Sequence, residues 1–401
     1  MVDVVKLTQE LVAINTVNGN EAETAKFVGK ILMDNGFDVK YVPFNNDETR
    51  LNIIAEKGLK PGKAPIVFTG HFDTVPIGKE EWSVNPLEAT IIGDKLYGRG
   101  STDMKAGIAA FIGAAIEAFE EDNNAYGVKF VLTANEEPGC VGANDLVASE
   151  YAELLGDACA IIVAEPTSNI PAIAHKSALY ITAIAKGKTA HSSMPHLGDN
   201  AIYKVARAIS KIENLEFNAE EDKLLGYPSI NVGVVEGGMN LNSVPDRASF
   251  TIDVRSTSKL ENDAVLELLQ KTLGDETSMS KKFLTQGDDN MRVPSDQNIK
   301  LLTDEIELNV MVNNSSVYNE VESDFEKLVY KVCGINADDA DRRKALPYMT
   351  DGSVLQKYYK GVPTIILGPG EASMAHKIDE YCFVDNIVEA KEIYKKILGG
   401  Y

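Results

Sequence analysis

The sequence predicts an α/β protein in which a mostly parallel, helix-covered sheet is interrupted by an inserted α+β domain. Short apolar runs with little polar alternation are typical of strands buried on both faces, and they occur at 51–55, 65–69, 128–133 and 160–164. Helical patterns alternate with these runs, which favours parallel pairing of the strands. The middle of the chain instead has the β-α-β-β-α-β order of ferredoxin-like domains.

Spacing and end signals predict the remaining elements of the outer domain. Asn20 and Glu23 resemble a capping box, and apolar residues with helical spacing follow them. A pattern rich in Ala and Ile predicts a long helix over 104–120. A last strand at 363–367 precedes a closing helix at 384–398.

The inserted domain is predicted from a second series of elements. In chain order these are a strand at 179–186, a helix at 200–212, strands at 229–236 and 248–255, a helix at 262–273, and the beginning of a last strand at 282–285. We therefore expect an inserted domain at 177–290 within an outer domain made of 1–176 and 291–401. A chain of 401 residues is long enough for two or three domains.

The composition excludes several classes of protein. The chain has 60 acidic and 39 basic side chains, and its charge of −21 disfavours nucleic acid and anionic membrane surfaces, because both bind clustered Lys and Arg. No window approaches the ~18 uninterrupted apolar residues of a membrane span. The four cysteines form no CxxC pair and the N-terminus has no signal-like pattern, so we expect a cytoplasmic protein with reduced thiols.

Possible metal ligands stand after several of the predicted strands. Ligands of open parallel sheets bind beyond the carboxyl ends of the strands. The candidates at such ends, or just before the helix predicted at 104–120, are His71, Asp73, Asp103, Glu136, Glu137, Glu165 and His376. Each alone has another explanation, such as a structural His, a solvated Glu or an Asp that caps a helix. Five such segments together favour a metal site.

The residue types indicate which metals and which chemistry. Imidazole nitrogen and carboxylate oxygen without thiolate suit Zn²⁺, Co²⁺ or Mn²⁺ in a hydrolytic site. His71 and Asp73 share a face of an extended chain, so Asp73 could orient a ligand. Glu136 and Glu137 point in different directions if extended, so one can bind metal while the other moves a proton. A bridging carboxylate would let two metals act on one water and one carbonyl.

Six segments resemble the co-catalytic zinc aminoacylase family, which includes acetylornithine deacetylase, succinyl-diaminopimelate desuccinylase, aminoacylase and glutamate carboxypeptidase. In chain order they are GHFDTVP at 70–76, YGRGSTDMK at 97–105, NEE at 135–137, AEPT at 164–167, AHSS at 190–193 and NLNSVP at 240–245. The resemblance covers nearly the whole chain. It implies a zinc-binding α/β domain and an inserted ferredoxin-like lid through which relatives often form a homodimer.

The resemblance also implies two divalent metal ions and the residues around them. The ligands it assigns are His71 and Glu165 for one metal, Glu137 and His376 for the other, and Asp103 as a bridge between them. Asp73 orients His71. Glu136 is the general base, which deprotonates the attacking water and later protonates the leaving amine. A cis peptide between Asp103 and Met104 is implied as well.

Further residues are implied as contacts of a small N-acyl amino-acid substrate. His191 in the lid donates to the tetrahedral oxyanion, in cis or across a dimer interface, although a hydrogen-bonded loop histidine is an alternative. Asn242 and Arg255 match lid positions that contact substrate in relatives. Thr350 matches a substrate-contacting loop.

Four segments bear on the substrate itself. AHKS at 174–177, GDNA at 198–201, GPG at 368–370 and MAHKIDEY at 374–381 resemble most the Gram-positive members called succinyl-diaminopimelate desuccinylase. That reaction needs a cation for the distal succinyl carboxylate, for which Lys176 and Arg255 are candidates. Some diaminopimelate enzymes have Arg residues where this chain has His175 and Lys176. An acetylornithine deacetylase, a metallo-dipeptidase or aminoacylase, and an inactive relative with a binding or scaffold role therefore stay open.

Overall fold

The computed structural model of the protein describes residues 2–17, 19–122, 126–274, 299–303, 305–336, 338–339 and 341–401. The chain divides into two compact units, and each is described by itself. The first unit comprises Met1–His175, Val317–Leu346 and Thr350–Tyr401, and the second comprises Lys176–Ser316 and Pro347–Met349.

Helices and strands alternate along most of the chain. The strands are β1 (Asp38–Phe44), β2 (Asp47–Lys57), β3 (Ile66–His71), β4 (Thr90–Ile92), β5 (Lys95–Tyr97), β6 (Val128–Thr133), β7 (Ala160–Val163), β8 (Ala172–His175), β9 (Ala178–Lys186), β10 (Ser229–Gly237), β11 (Arg247–Arg255), β12 (Lys300–Leu302), β13 (Ile306–Asn314), β14 (Val317–Tyr318), β15 (Lys344–Leu346), β16 (Thr364–Ile366) and β17 (Tyr381–Phe383). The α-helices are α1 (Val4–Ala13), α2 (Ala22–Asp34), α3 (Ala106–Glu121), α4 (Val141–Ala148), α5 (Ala201–Glu213), α6 (Asn262–Leu273), α7 (Asp324–Val332), α8 (Gly352–Tyr358) and α9 (Val384–Gly400). Shorter turns of helix are Ser101–Lys105, Glu150–Leu155, Pro195–Leu197 and Ala372–Met374.

The first unit contains a mixed sheet with the strand order β1-β2-β6-β3-β7-β16-β8-β14, and β15 also pairs with β8. The four neighbouring strands β6, β3, β7 and β16 are parallel, whereas β1, β2, β8 and β14 join the sheet by antiparallel pairing. A short turn links β1 to β2, and so short a link permits only antiparallel pairing. The α/β class is therefore confirmed, and the parallel part lies at the centre of a mixed sheet.

Helices cover both faces of this sheet, which explains the uninterrupted apolar runs. On β3, the side chain of Val67 belongs to a buried cluster with Leu146 of α4 and Leu355 of α8. The next residue, Phe68, points to the opposite face, where its ring stacks on Phe111 of α3 with centroids 4.2 Å apart. Alternate residues of one strand thus pack against two helical layers, as expected for a sheet buried on both sides.

The second unit is a five-stranded antiparallel sheet with the order β10-β11-β9-β13-β12. Helices α5 and α6 pack on one face, where they share a buried apolar cluster with the strands. Strand β9 is buried at alternate residues, as one-sided packing requires. The elements β9-α5-β10-β11-α6-β13 follow the predicted ferredoxin-like order.

The end of the inserted domain differs from the prediction. The strand predicted at 282–285 and the boundary predicted at 290 both lie outside the described residues. Strand β13 pairs with β9 over Ile306↔Ala185 to Asn314↔Ala178, so the second unit extends to Ser316 and residues 299–316 do not belong to the outer domain.

Two helix starts also differ from the prediction. Helix α2 begins at Ala22 without a side-chain cap, since Asn20 has a φ of 67° and the Glu21 carboxylate binds Arg50 instead. Helix α3 begins at Ala106 rather than at 104, because Asp103 and Met104 have non-helical backbone angles. The peptide bond between Asp103 and Met104 is cis, as the resemblance implied. Among the described residues, no helix is both long and apolar enough to cross a membrane.

Candidate metal centre

The carboxyl ends of the parallel strands bring the predicted ligands together in the first unit. His71 is the last residue of β3, Glu136 and Glu137 follow β6, Glu165 follows β7, and His376 lies in the loop after β16. Parallel strands end at the same edge of a sheet, so these side chains meet there. Asp103 reaches the same place from the turn Ser101–Lys105. All five predicted ligands are in contact with at least one other member of the set.

Three buried residues form one possible ligand set. His71 Nε2 lies 3.1 Å from Asp103 Oδ1 and 3.8 Å from Glu165 Oε1. One donor atom from each of these three residues lies within 4.8 Å of the other two. Distances of this size suit donor atoms that surround a common cation.

A second set shares one residue with the first. His376 Nε2 lies 3.0 Å from Glu137 Oε2 and 3.4 Å from Asp103 Oδ2. The two oxygens of Asp103 therefore face different sets, Oδ1 towards His71 and Oδ2 towards His376. This is the arrangement expected of a carboxylate that bridges two metals.

Asp73 holds the site through both its backbone and its side chain. Its carbonyl oxygen lies 2.9 Å from His71 Nδ1, so the other ring nitrogen, Nε2, is the one that faces the carboxylates. Its carboxylate lies farther from that ring, at 3.6 Å. The carboxylate accepts hydrogen bonds from the backbone N–H groups of Glu136, at 2.9 Å, and Glu137, at 3.1 Å. Asp73 thus contacts His71 as predicted, chiefly through its backbone, and it also fixes the turn that carries both glutamates.

Glu136 is buried beside the first set without being part of it. Its Oε2 lies 3.9 Å from His71 Nε2, and its Oε1 accepts a hydrogen bond from the Cys140 thiol at 3.3 Å. Glu136, Cys140 and Asp351 form a third group of possible donor atoms within 4.8 Å of one another. A carboxylate next to a metal set but outside it is positioned to exchange a proton with a bound molecule.

The pKa values respond to burial and to the charges in the cluster. Burial raises the pKa of Glu165 and Glu136 well above the usual range, and it raises the pKa of Glu137 as well. Burial also disfavours ionisation of Asp103, yet hydrogen bonds from His376 and His71 hold its pKa well below the usual value. Hydrogen bonds to Asp103 and then to Glu137 raise the pKa of His376 to about 10. Carboxylates so crowded need positive charge nearby, and this donor set of nitrogen and oxygen fits two divalent cations.

Three buried residues of the site were not among the predicted ones. Glu380 pairs with Arg99 and accepts hydrogen bonds from the backbone around Asp103. Asp351 and Cys140 lie behind Glu136. Glu380 stands in the segment 374–381, but a single sequence does not reveal which carboxylate of such a segment is buried.

Thr350 and the remaining predicted residues are distributed over the two units. Thr350 is fully buried in the first unit, where its hydroxyl contacts His175 Nε2 at 3.1 Å and accepts the N–H of Gly352. A contact between Thr350 and a substrate stays a prediction. His191, Asn242, Arg255 and Lys176 belong to the second unit.

Within the second unit, two predicted residues are neighbours. The backbone N–H of Ser192 donates to the carbonyl of Asn242 at 3.0 Å, next to the exposed side chain of His191. The N–H of Ser193 donates to His191 Nδ1 at 3.2 Å. Because a backbone N–H can only donate, Nδ1 accepts and the proton of the neutral ring lies on Nε2. His191 therefore presents a hydrogen-bond donor.

The two candidate cations of the second unit have different surroundings. Arg255 binds the Asp253 carboxylate at 2.9 Å and the Tyr180 hydroxyl at 2.5 Å. Lys176 donates to the carbonyl of Tyr227 at 2.6 Å, and partial burial lowers its pKa. Arg255 thus has a carboxylate partner, and one partner of Lys176 is a backbone carbonyl oxygen.

The chain is similar to known proteins over most of its length. A sequence model described as peptidase family M20/M25/M40 matches residues 67–399. A probable succinyl-diaminopimelate desuccinylase of Staphylococcus aureus is 31% identical over 96% of this chain and 95% of its own length. An acetylornithine deacetylase of Pasteurella multocida is 27% identical over 91% of this chain and 87% of its own length. A crystal structure of an M20 family metallo-carboxypeptidase from Sulfolobus solfataricus superimposes with a TM-score of 0.73 over 99% of both chains, and its 20% identity makes this a likeness of fold alone.

Proposed function

Because the chain belongs to peptidase family M20/M25/M40, we propose that it hydrolyses the N-acyl amide bond of an amino-acid-like substrate with two divalent metal ions. Family membership makes it a metal-dependent amide hydrolase. The observation that carries it is the pair of ligand sets that share Asp103.

We assign the metal ligands from these sets. His71 and Glu165 would hold one ion, Glu137 and His376 the other, and Asp103 both. The nitrogen and oxygen donors favour Zn²⁺, with Co²⁺ and Mn²⁺ as alternatives. Two such ions would polarise the scissile carbonyl and make water a better nucleophile near neutral pH.

The proton transfers are assigned to residues of this chain. Glu136 Oε2 takes a proton from the attacking water and passes it to the leaving nitrogen, so one carboxylate serves both steps. Asp73 keeps the Glu136 backbone in place through the hydrogen bond to its N–H. His191 would donate its Nε2–H to the carbonyl oxygen as negative charge develops there.

We propose N-succinyl-diaminopimelate as the substrate, with succinate and diaminopimelate as products. This choice is supported by the names of the relatives from Staphylococcus, at 29–31% identity. Lys176 and Arg255 are the candidates for binding the distal succinyl carboxylate. Asn242 would contact the part of the substrate near His191. The acetylornithine deacetylase relative supports the main alternative, an N-acetyl substrate.

A substrate panel and a chelator experiment test these assignments. The value of kcat/KM is measured with N-succinyl-diaminopimelate, N-acetylornithine and several dipeptides. The proposal expects the highest value for the succinyl compound, and a dominant rate on acetylornithine or a dipeptide would contradict the substrate choice. Dialysis against a chelator should abolish hydrolysis, and added zinc or cobalt should restore it. An inactive binding protein would show no metal-dependent hydrolysis of any of these compounds.

We also propose a homodimer formed through the second unit. Strand β10 pairs with β11 on one side and is an edge strand among the described strands. It and the following loop expose apolar side chains, including Val235 at 62%, Met239 at 70% and Leu241 at 100%. An exposed apolar edge favours pairing with a second copy. Sedimentation should show a dimer that Val235→Lys weakens, whereas Val388→Lys in α9 should leave it intact. A monomeric wild-type protein would contradict the proposal.

A cytoplasmic location is also a proposal, supported by the four cysteines being unpaired in the structure. Cell fractionation, with detection of the chain in each fraction by an antibody, tests this location. Recovery with membranes or in the medium would contradict it.

A further inference from the structure

The two carboxylate oxygens of Glu136 have different neighbours. Oε2 lies 3.9 Å from His71 Nε2, on the side of the ligand sets. Oε1 lies 3.3 Å from the Cys140 Sγ, a normal distance for a hydrogen bond that involves sulfur. The thiol is the donor in this hydrogen bond, and the carboxylate oxygen accepts. One oxygen is therefore occupied by a thiol, while the other faces the metal ligands.

Hydrogen bonds hold the backbone of Cys140 at both its N–H and its carbonyl group. Its N–H donates to the carbonyl of Glu136 at 2.6 Å, and its own carbonyl accepts from the N–H and the side-chain amide of Asn144, both at 3.0 Å. The backbone that carries the thiol is therefore held in place relative to Glu136. Cys140 is also fully buried, so its side chain has no competing contact with bulk solvent.

The backbone conformation makes a cysteine at this position unexpected. Cys140 has a φ of 56°, in the left-handed region where glycine is the least costly residue. A side chain is present here despite that cost, and its sulfur is the atom that contacts Glu136. Substitution by glycine therefore separates the loss of the thiol from a loss of stability, because glycine removes the thiol and at the same time relieves the backbone strain.

The surroundings keep the thiol in the form that donates. Asp351, held by a 2.5 Å hydrogen bond from the Thr133 hydroxyl, places a second carboxyl group near Cys140. Burial and the nearby carboxylates of Glu136 and Asp351 raise the pKa of the Cys140 thiol well above its usual value. The sulfur is thus an S–H donor rather than a thiolate.

We infer that Cys140 is a positioning residue for Glu136, whose thiol holds Oε1 so that Oε2 faces the ligand sets. The inference rests on the proposed role of Glu136 as general base. Without the thiol, the carboxylate can rotate away from the position in which it exchanges protons. The loss should appear in kcat, because proton transfer is affected while the metal ligands and the substrate contacts stay unchanged.

Three substitutions at one position test the inference in the metal-loaded enzyme. Cys140→Ala and Cys140→Gly should each lower kcat about tenfold, the effect of one hydrogen bond, and leave KM within about twofold. Cys140→Ser keeps a donor and should recover most of the lost kcat. Metal content should equal that of the wild type in all three. The control Cys159→Ala removes a thiol that lies just before β7 and donates to the carbonyl of Pro65, just before β3; this change should not alter kcat.

Several outcomes would overturn the inference. One is an unchanged kcat in Cys140→Ala. Another is a serine variant no more active than the alanine variant. A third is a loss of kcat that parallels a loss of thermal stability across the variants, which would indicate a structural role. The glycine variant makes this comparison possible, because it lacks the thiol but should be less strained in its backbone than the alanine variant. If Glu136→Ala retains turnover, the proposed function fails as well. If Glu136→Ala is inactive and Cys140→Ala is unimpaired, only the present inference fails.

Discussion

The side chain of Glu380 accepts a hydrogen bond from the backbone N–H of Asp103, at 3.1 Å. The same oxygen accepts the N–H of Thr102 at 2.9 Å, and the other binds Arg99 at 2.6 Å. Glu380 also follows His376 in the same loop. One buried carboxylate therefore connects the turn that carries Asp103, the candidate ligand shared by both sets, to the loop that carries His376, a candidate ligand of the second set.

Substitution of Glu380 should destabilise the first unit. Glu380→Gln leaves the buried Arg99 without its partner charge, and breaking a buried ion pair in this way costs about 3 kcal/mol of unfolding free energy. Urea denaturation of the metal-loaded protein measures the change. Asp34→Asn, which breaks the exposed pair with Lys30, should have no measurable effect. A Glu380 variant as stable as this control would contradict the connecting role.

The shared position of Asp103 predicts how metal content responds to substitution. Asp103→Asn should weaken both sites, whereas Glu165→Gln and His376→Ala should each weaken one. After dialysis at a fixed free zinc concentration, elemental analysis should give about two ions per chain for the wild type, about one for each single-site variant and fewer for Asp103→Asn. Equal losses in all three variants would contradict the assignment of Asp103 to both sets.

Metal binding should release protons. The pKa of His376 is raised to about 10, so the metal-free protein holds this imidazole protonated at neutral pH. A metal binds only the neutral ring, and the apparent affinity should therefore rise with pH until it levels off near that pKa. Calorimetry in two buffers with different heats of ionisation counts the protons released. A binding heat that is independent of the buffer would contradict this prediction.

The sequence was sufficient to predict that the candidate ligands lie together, but not which groups hold them in place. His71, Asp103, Glu137, Glu165 and His376 could be located because strand ends and motif spacing are local properties of the chain. The partners of these residues come from distant segments. Glu380 acts on Asp103, and Asp351 approaches Glu136, through contacts that only the folded chain creates. The position of β13 could not be predicted for the same reason. It belongs to the second sheet because it pairs with the distant strand β9, and its own hydrophobic pattern does not reveal that partner.

Lys176 provides a test of the proposed substrate. Lys176→Met should raise KM for N-succinyl-diaminopimelate by at least about tenfold, because a charged hydrogen bond to the distal carboxylate is lost. KM for N-acetylornithine, which has no succinyl carboxylate, should change little. Lys271→Met, an exposed lysine on α6, is the control for loss of charge. Equal effects of Lys176→Met on both substrates would contradict the assignment.

The central claim is that Glu136 moves the proton while other residues hold the metals, and one variant tests it most directly. Glu136→Ala should retain about two metal ions per chain, because Glu136 belongs to neither of the two ligand sets that share Asp103. Its kcat should fall at least about 100-fold, the usual contribution of a general base. Metal content and kcat are measured on the same preparation. Wild-type turnover in a fully metal-loaded Glu136→Ala protein would contradict the mechanism.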